Sequence, residues 1–454
     1  MERARLDLFA LANIAPTALM LWGWSPSVVG LVFCAGNALW LADLQRKRAE
    51  LPTAALVLVT VAITLAGLTW AGLLERPGLV ADGMGWDGRQ YVSLYWHFSR
   101  GVYWPVVPDF PYYQRIALPF IAAHLPFDPR ISFAAINAAF WIATMVLFVR
   151  HCRRCFALEA VPTLLGVLWL QLLWLSVPRG IASYQFTIDS ATVFFIQAWV
   201  YVLFSDRRLW LLPVIAFAGT LFKETTLLVV LLSAVVPLFL APRWTVLAAS
   251  VVAAVAAKWI AGHALSIHGA GSALDTIRHW YNLRSAAPLM ELLRYCAAIF
   301  AVYGGFALLW CVTLDKARPP RARDSFTRAA LALAALYLGV CFFAGTDLTR
   351  FAYMAFPLLL PVFLCAFEAV HPLYAAAALA LGLPAAHMAM GTPPPAIGQG
   401  DLPDFDLTGF YSWTMEYAHH AIVGSWIAWW LGCAMVLRAI GVKNTWKQGL
   451  TPRD

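Results

Sequence analysis

Two carboxylates in a glycine-bracketed stretch, Asp82 and Asp87 in Asp82-Gly83-Met84-Gly85-Trp86-Asp87-Gly88-Arg89-Gln90-Tyr91, are the residues whose type and setting best suit chemistry. Glycines on both sides let the backbone turn tightly, which allows a carboxylate to be aimed into a cavity. A group held in this way either removes a proton from a hydroxyl or helps to hold a divalent cation; the plain alternative is a cap or turn residue. Lys223 and Glu224 are the second candidates, because they interrupt a long apolar stretch. A charge near a bilayer centre costs about 2.5–3.5 kcal/mol on insertion scales, so something must offset it. Either the two pair with each other or with a neighbouring helix and fix packing, or Lys223 neutralises a phosphate while Glu224 holds it in place. Arg350 opens an apolar run beside Asp347. Its guanidinium suits a phosphate, to which it donates two parallel hydrogen bonds, and suits equally a snorkelling contact with headgroups. Arg89 and Arg115 compete for the same role, Arg115 being the better interfacial anchor, while Arg179 and Asp189 flank another turn at a cavity rim.

Other chemistries find little support. His263 and His268, and the adjacent His419 and His420, match no metal signature, and H-E-x-x-H is absent. Eight cysteines are scattered, and the one close pair, Cys152 and Cys155, lies in the basic stretch Arg150-His151-Cys152-Arg153-Arg154-Cys155, read as a turn. No glycine-rich phosphate loop follows a strand, and Asp404-Phe405-Asp406 is a lone match to a D-x-D pair. A divalent cation stays open as a cofactor, with no metal ligands assigned.

The elements that must position these groups are apolar. Hydrophobic residues make up 61% of the 454, charged ones only 12%, far from the roughly 25% charged of soluble domains. Runs long enough to cross about 30 Å of hydrocarbon, with shorter ones where a pair is tilted or re-entrant, fall at residues 8–23, 27–43, 52–74, 131–149, 160–177, 188–205 and 209–222. Further runs fall at 226–241, 245–262, 293–313, 329–344, 351–369, 373–390 and 420–438. The expected fold is all-α: a polytopic transmembrane helix bundle of about 12–14 spans, one domain over residues 1–454. The first run follows a charged start without a small-residue cleavage site and is read as a retained span.

With both termini cytoplasmic, about two thirds of the Lys and Arg fall on the inner side, as the positive-inside rule expects. The net charge of +8 thus reports topology and membrane lipids, not a nucleic-acid partner. This orientation places three long segments outside, residues 75–130, 263–291 and 391–419. Within the first, Tyr91 to Phe98 are expected to form an amphipathic helix in the interface. Trp86, Tyr91, Tyr95, Trp96, Tyr103, Trp104, Tyr112 and Tyr113 suit that level of a bilayer.

The order of these features resembles the GT-C class of integral-membrane glycosyltransferases of bacterial type, which take sugars from polyprenyl-phosphate donors. Trp86-Asp87-Gly88-Arg89-Gln90-Tyr91 is similar to that class's acidic element in the first large outer loop, followed by aromatic residues and an amphipathic helix. Tyr112-Tyr113-Gln114-Arg115-Ile116-Ala117-Leu118-Pro119 resembles the tyrosine, arginine and proline entry into the next span. Phe222-Lys223-Glu224-Thr225 and Asp347-Leu348-Thr349-Arg350-Phe351 agree in character. The early hairpin over residues 8–43 departs from the class, which commonly begins with the span leading into that loop.

The resemblance implies an inverting glycosyltransferase of the bacterial inner membrane, passing a sugar from a polyprenyl-phosphate donor to the hydroxyl of a lipid-linked or small glycan acceptor at the outer face. Asp87, or failing it Asp82, is then the base, with Arg89, Lys223, Glu224, Arg350 and Arg115 at the donor phosphate. Two rivals share the composition: a transporter or flippase of lipid-linked sugars, and a polysaccharide polymerase or ligase using Arg278, Arg284 and Arg294.

Overall fold

The computed structural model describes residues 26–46, 51–74, 87–173, 177–183, 185–240, 243–265, 273–285, 288–313, 321–343 and 348–365, with a few isolated positions before them. The run expected at 8–23, apart from those isolated positions, the runs at 373–390 and 420–438, the segment 391–419 and Asp82 lie outside the described residues. Among those described the chain is helical, without a strand, and it divides into two compact units.

The first unit comprises residues 1–155 and 159–273. Its helices are α1 (Pro26–Arg46), α2 (Thr53–Leu74), α3 (Gly88–Arg100), α4 (Ala117–Ala123), α5 (Pro129–Cys155), α6 (Ala160–Leu172), α7 (Val177–Ser183), α8 (Asp189–Ser205), α9 (Leu211–Phe222), α10 (Thr225–Leu232) and α11 (Trp244–His263). A 3₁₀ turn, Tyr112–Gln114, precedes α4, and α10 tightens into a 3₁₀ segment, Ser233–Leu238. The most extensive packing is of α9 on α11 and of α8 on α5. The second unit holds α12 (Ala273–Ser285), α13 (Pro288–Thr313), α14 (Arg321–Cys341), α15 (Leu348–Met354) and α16 (Phe356–Leu364). In it the Tyr295 and Tyr303 hydroxyls, on α13, donate to the carbonyls of Leu338 and Ala352.

Three described helices are long and apolar enough to cross a membrane: Thr53–Ala71, Pro129–Cys155 and Trp244–His263. Their outward faces are apolar too, with Leu58, Val252 and Trp259 all more than half exposed. Water disfavours such a surface and hydrocarbon accepts it. Shorter apolar helices, 10–17 residues each, account for much of the rest.

Helix ends follow local chemistry. Asp128 accepts the Arg130 N–H at 2.9 Å ahead of Pro129, which has no N–H to lose at a first helical position, and so α5 starts there. At its other end α5 continues through Cys155, so the basic Arg150–Cys155 stretch is helix, not the turn expected from its charges. Its last turn places Arg153 and Arg154 at the negative end of the helix dipole, and His151, Cys152 and Cys155 are buried. The expected amphipathic helix is α3, longer than foreseen, with Tyr91 to Tyr95 buried and Ser99 and Arg100 exposed. It stops at Gly101, whose φ of 73° suits a residue without a side chain and whose N–H reaches the His97 carbonyl at 2.8 Å. The run expected at 351–369 is divided between α15 and α16.

The break between α9 and α10 is held by close approach. Lys223 is extended (φ −162°, ψ 137°), which ends α9, and Glu224 leads into α10. A Cβ on Gly219 would stand 2.6 Å from Thr226 Cγ2 and 2.8 Å from Phe195 Cβ, so no side chain fits where α8, α9 and α10 meet. Gly219→Ala should therefore destabilise the protein by about 1–3 kcal/mol, read as a lower unfolding midpoint in detergent. An unchanged midpoint would show that this junction yields freely.

Candidate functional site

Asp87 stands at the N-terminus of α3 without capping it: no side-chain hydrogen bond runs from its carboxylate to the helix. Instead its carbonyl receives the N–H groups of Gln90 and Tyr91, and its Oδ1 accepts the Tyr112 hydroxyl at 2.7 Å. The plain role as a helix cap is thus not the one its side chain plays. Two further bonds tie α3 to the following loop. Gln90 Oε1 accepts the Asp109 N–H at 3.1 Å, and the Ser93 hydroxyl donates to the Val106 carbonyl.

From Tyr112 the polar chain continues inward. Its ring meets the Tyr91 ring edge-on, centroids 5.8 Å apart, and the Arg115 guanidinium lies 5.0 Å from its centroid. Arg115 Nη1 donates to the Tyr91 hydroxyl at 2.8 Å, Nε donates to Glu224 Oε2 at 2.9 Å, and Nη2 donates to Glu224 Oε1. This two-pronged grip matches the fork of the guanidinium to the carboxylate. Burial opposes the charged form of Arg115, yet Glu224 and Tyr91 more than offset it and hold the guanidinium above its ordinary range. Burial also pushes the Tyr91 phenol well up, so it remains a neutral O–H beside a cation. Arg115 and Glu224 are 109 residues apart in the chain, and their pair fastens the loop to the α9–α10 break.

Lys223 turns to a different partner. Its ammonium lies 2.9 Å from Asp189 Oδ1 at the start of α8, so Lys223 and Glu224, adjacent in sequence, are each matched by a separate element. Lys223 and Asp189, both mostly buried, are thereby compensated.

Beside this network lies a cavity of about 400 Å³, lined by Tyr113, Gln114, Leu227, Val255, Lys258, Trp259, Gly262 and His263. The 3₁₀ turn thus serves two places: Tyr112 holds Asp87, and the next two residues, Tyr113 and Gln114, wall the cavity. Lys258 is the cation here. Its Nζ stands 5.7 Å from the Phe110 ring centroid, and no hydrogen bond or ion pair reaches it among the described residues. It was missed in the sequence reading, where residues 245–262 passed as a plain apolar run. The signal was present, since an isolated lysine inside a spanning-length helix carries the same cost that drew attention to Lys223.

Arg89 is exposed in the first turn of α3. Arg350 belongs to α15 in the second unit, and its neighbour Asp347 lies outside the described residues. Arg284 is also in that unit, 4.6 Å from the Phe342 ring centroid. Tyr91 and Tyr112, expected as members of an aromatic belt, are hydrogen-bonding parts of the network. Among the described residues, no group of three or more His, Cys, Asp or Glu is placed to hold a metal ion. Comparison of the chain with protein-family models, with curated proteins and with solved structures finds no match.

Proposed function

We propose that this chain is a membrane glycosyltransferase, taking a sugar from a polyprenyl-phosphate donor and passing it to an acceptor hydroxyl at the outer face of the bacterial inner membrane. The observation that supports this most is the double use of the 3₁₀ turn, which sets a carboxylate and a lysine-bearing cavity on consecutive residues. In the proposed reaction Asp87 removes the proton from the acceptor hydroxyl. The freed oxygen bonds to the anomeric carbon from the face opposite the phosphate. The bond between that carbon and the phosphate oxygen breaks, and its electron pair leaves with the polyprenyl phosphate. Inversion follows from the single displacement. Rate would come from positioning and from cations already in place around the departing phosphate. Arg115 and Glu224 serve by fixing the loop; Lys223 is neutralised by Asp189, so its part is to hold the break. Arg89 and Arg350 remain proposals for the phosphate.

The test is transfer in proteoliposomes from a panel of polyprenyl-phosphate sugars labelled in the sugar. Label leaving the donor, with bare polyprenyl phosphate accumulating, supports the reading. The helix broken at Lys223 favours the second reading, a flippase, since transporters build sites at interrupted helices. Intact donor moving between leaflets without cleavage would establish that one instead.

Tyr112 is a positioning residue on this reading. Tyr112→Phe removes one hydrogen bond to a charged acceptor, worth about 1.5–3 kcal/mol, and should lower kcat about tenfold or more with KM little changed. A rise in KM at constant kcat would place Tyr112 in substrate binding instead.

A further inference from the structure

Three cations approach the α9–α10 break, and two of them have dedicated partners. Lys223 faces Asp189, and Arg115 engages both oxygens of Glu224. Among the described residues Lys258 has none: the acid that acts on it across space is Glu224, which Arg115 already holds. With Lys258 protonated, Arg115, Glu224 and Lys258 together carry one net positive charge, and Lys258 lines the cavity. A lysine in an apolar helix retained without a counter-ion marks a place where an anion completes the set.

The rest of the lining specifies the ligand further. Leu227, Val255 and Trp259 make the wall apolar, and Val252, Val255 and Trp259 extend an exposed apolar strip along α11. Gly262 keeps the space open: a Cβ there would meet only Gln114 Nε2, at 3.5 Å. His263 Nδ1 donates to the Trp259 carbonyl at 2.7 Å, and His263 is a second polar residue in the lining. Gln114 Oε1 is buried without a hydrogen-bond partner among the described residues, an acceptor ready for a hydroxyl. A soluble phosphate would use the charge and waste the apolar strip.

We infer that this cavity binds a lipid monophosphate, its phosphate on Lys258 and its hydrocarbon chain along the Val252, Val255 and Trp259 face of α11, with Gln114 accepting from a hydroxyl on the headgroup. Naming this lipid as the sugar donor rests on the transferase reading; the binding itself does not.

The experiment is native mass spectrometry and ligand titration of the full chain in detergent, with farnesyl phosphate, farnesol and inorganic phosphate as probes. The natural sequence should bind farnesyl phosphate and hold farnesol and inorganic phosphate far more weakly. Lys258→Met should weaken the farnesyl phosphate complex about ten- to a hundredfold. Gly262→Leu should do the same by filling the space with every charge intact, and so decides the matter even where Lys258→Met fails to assemble. Binding unaffected in both variants overturns the proposal, as does inorganic phosphate competing on equal terms with the lipid. Asp87→Asn separates the two readings. Lys258-dependent binding in a protein that transfers sugar without Asp87 would sink the assigned base and leave the cavity standing; transfer that needs Asp87 but binding indifferent to Lys258 does the reverse.

Discussion

On the transferase reading, Asp87→Asn should leave a protein that assembles normally and transfers sugar at a rate lower by about 10²–10⁴-fold, the usual contribution of a positioned base. Asparagine keeps the shape of the side chain, and its Oδ1 can still accept the Tyr112 hydroxyl, which bonds Asp87 at 2.7 Å. The turn at residues 112–114 and the start of α3 are therefore preserved. What is lost is the affinity for a proton, which an amide oxygen does not supply. Initial rates of transfer, paired with an unfolding midpoint equal to that of the natural sequence, check both halves of this expectation. Full activity in the variant would move the base elsewhere, with Asp82 next to be tried.

The largest stability effect should come from Glu224→Leu. The Arg115 side chain is 9% exposed and that of Glu224 31%, so removing the acid strands a buried guanidinium and costs about 3–5 kcal/mol. Arg115→Met should cost less, because the carboxylate it abandons is the more exposed partner. Replacing both by apolar residues should recover much of the loss, since an apolar pair needs no compensation. Arg115→Lys should behave as a disruption, because an ammonium cannot make the two parallel bonds to Glu224 and a third to Tyr91. Unfolding midpoints of the four variants in one detergent decide this. A double variant no more stable than Glu224→Leu would mean the pair is specified by more than charge.

Helix positions in the first unit were legible because apolar runs here end abruptly. The run at 52–74 became Thr53–Leu74 behind Pro52, and the run at 209–222 became Leu211–Phe222 before the charged Lys223. The rotation of each helix about its axis was not legible. α2 is apolar almost all round, so no periodicity tells which side faces a neighbour. Charge partners depend on that rotation, which is why Lys223 and Glu224 stood out as anomalies while Asp189 and Arg115 could not be named as their counterparts. Arg150 to Cys155 misled for a related reason: basic residues mark where a chain leaves hydrocarbon, and a helix has no need to stop there. Asp87 stands out as a candidate from its glycine-bracketed setting, but its contact with Tyr112 spans 25 residues and required the fold.

The order of the two ion pairs along the chain bears on how the protein is made. Each partner of the awkward dipeptide lies upstream of it, Arg115 by 109 residues and Asp189 by 34. At roughly 5–20 residues per second of synthesis, Asp189 leaves the ribosome seconds before Lys223, and Arg115 earlier still. When the two charges are synthesised, their neutralising groups are therefore already part of the nascent chain. A fragment starting after Ser205 would carry the same two charges with neither counter-charge available, and its stretch around Lys223 would have to be buried bare.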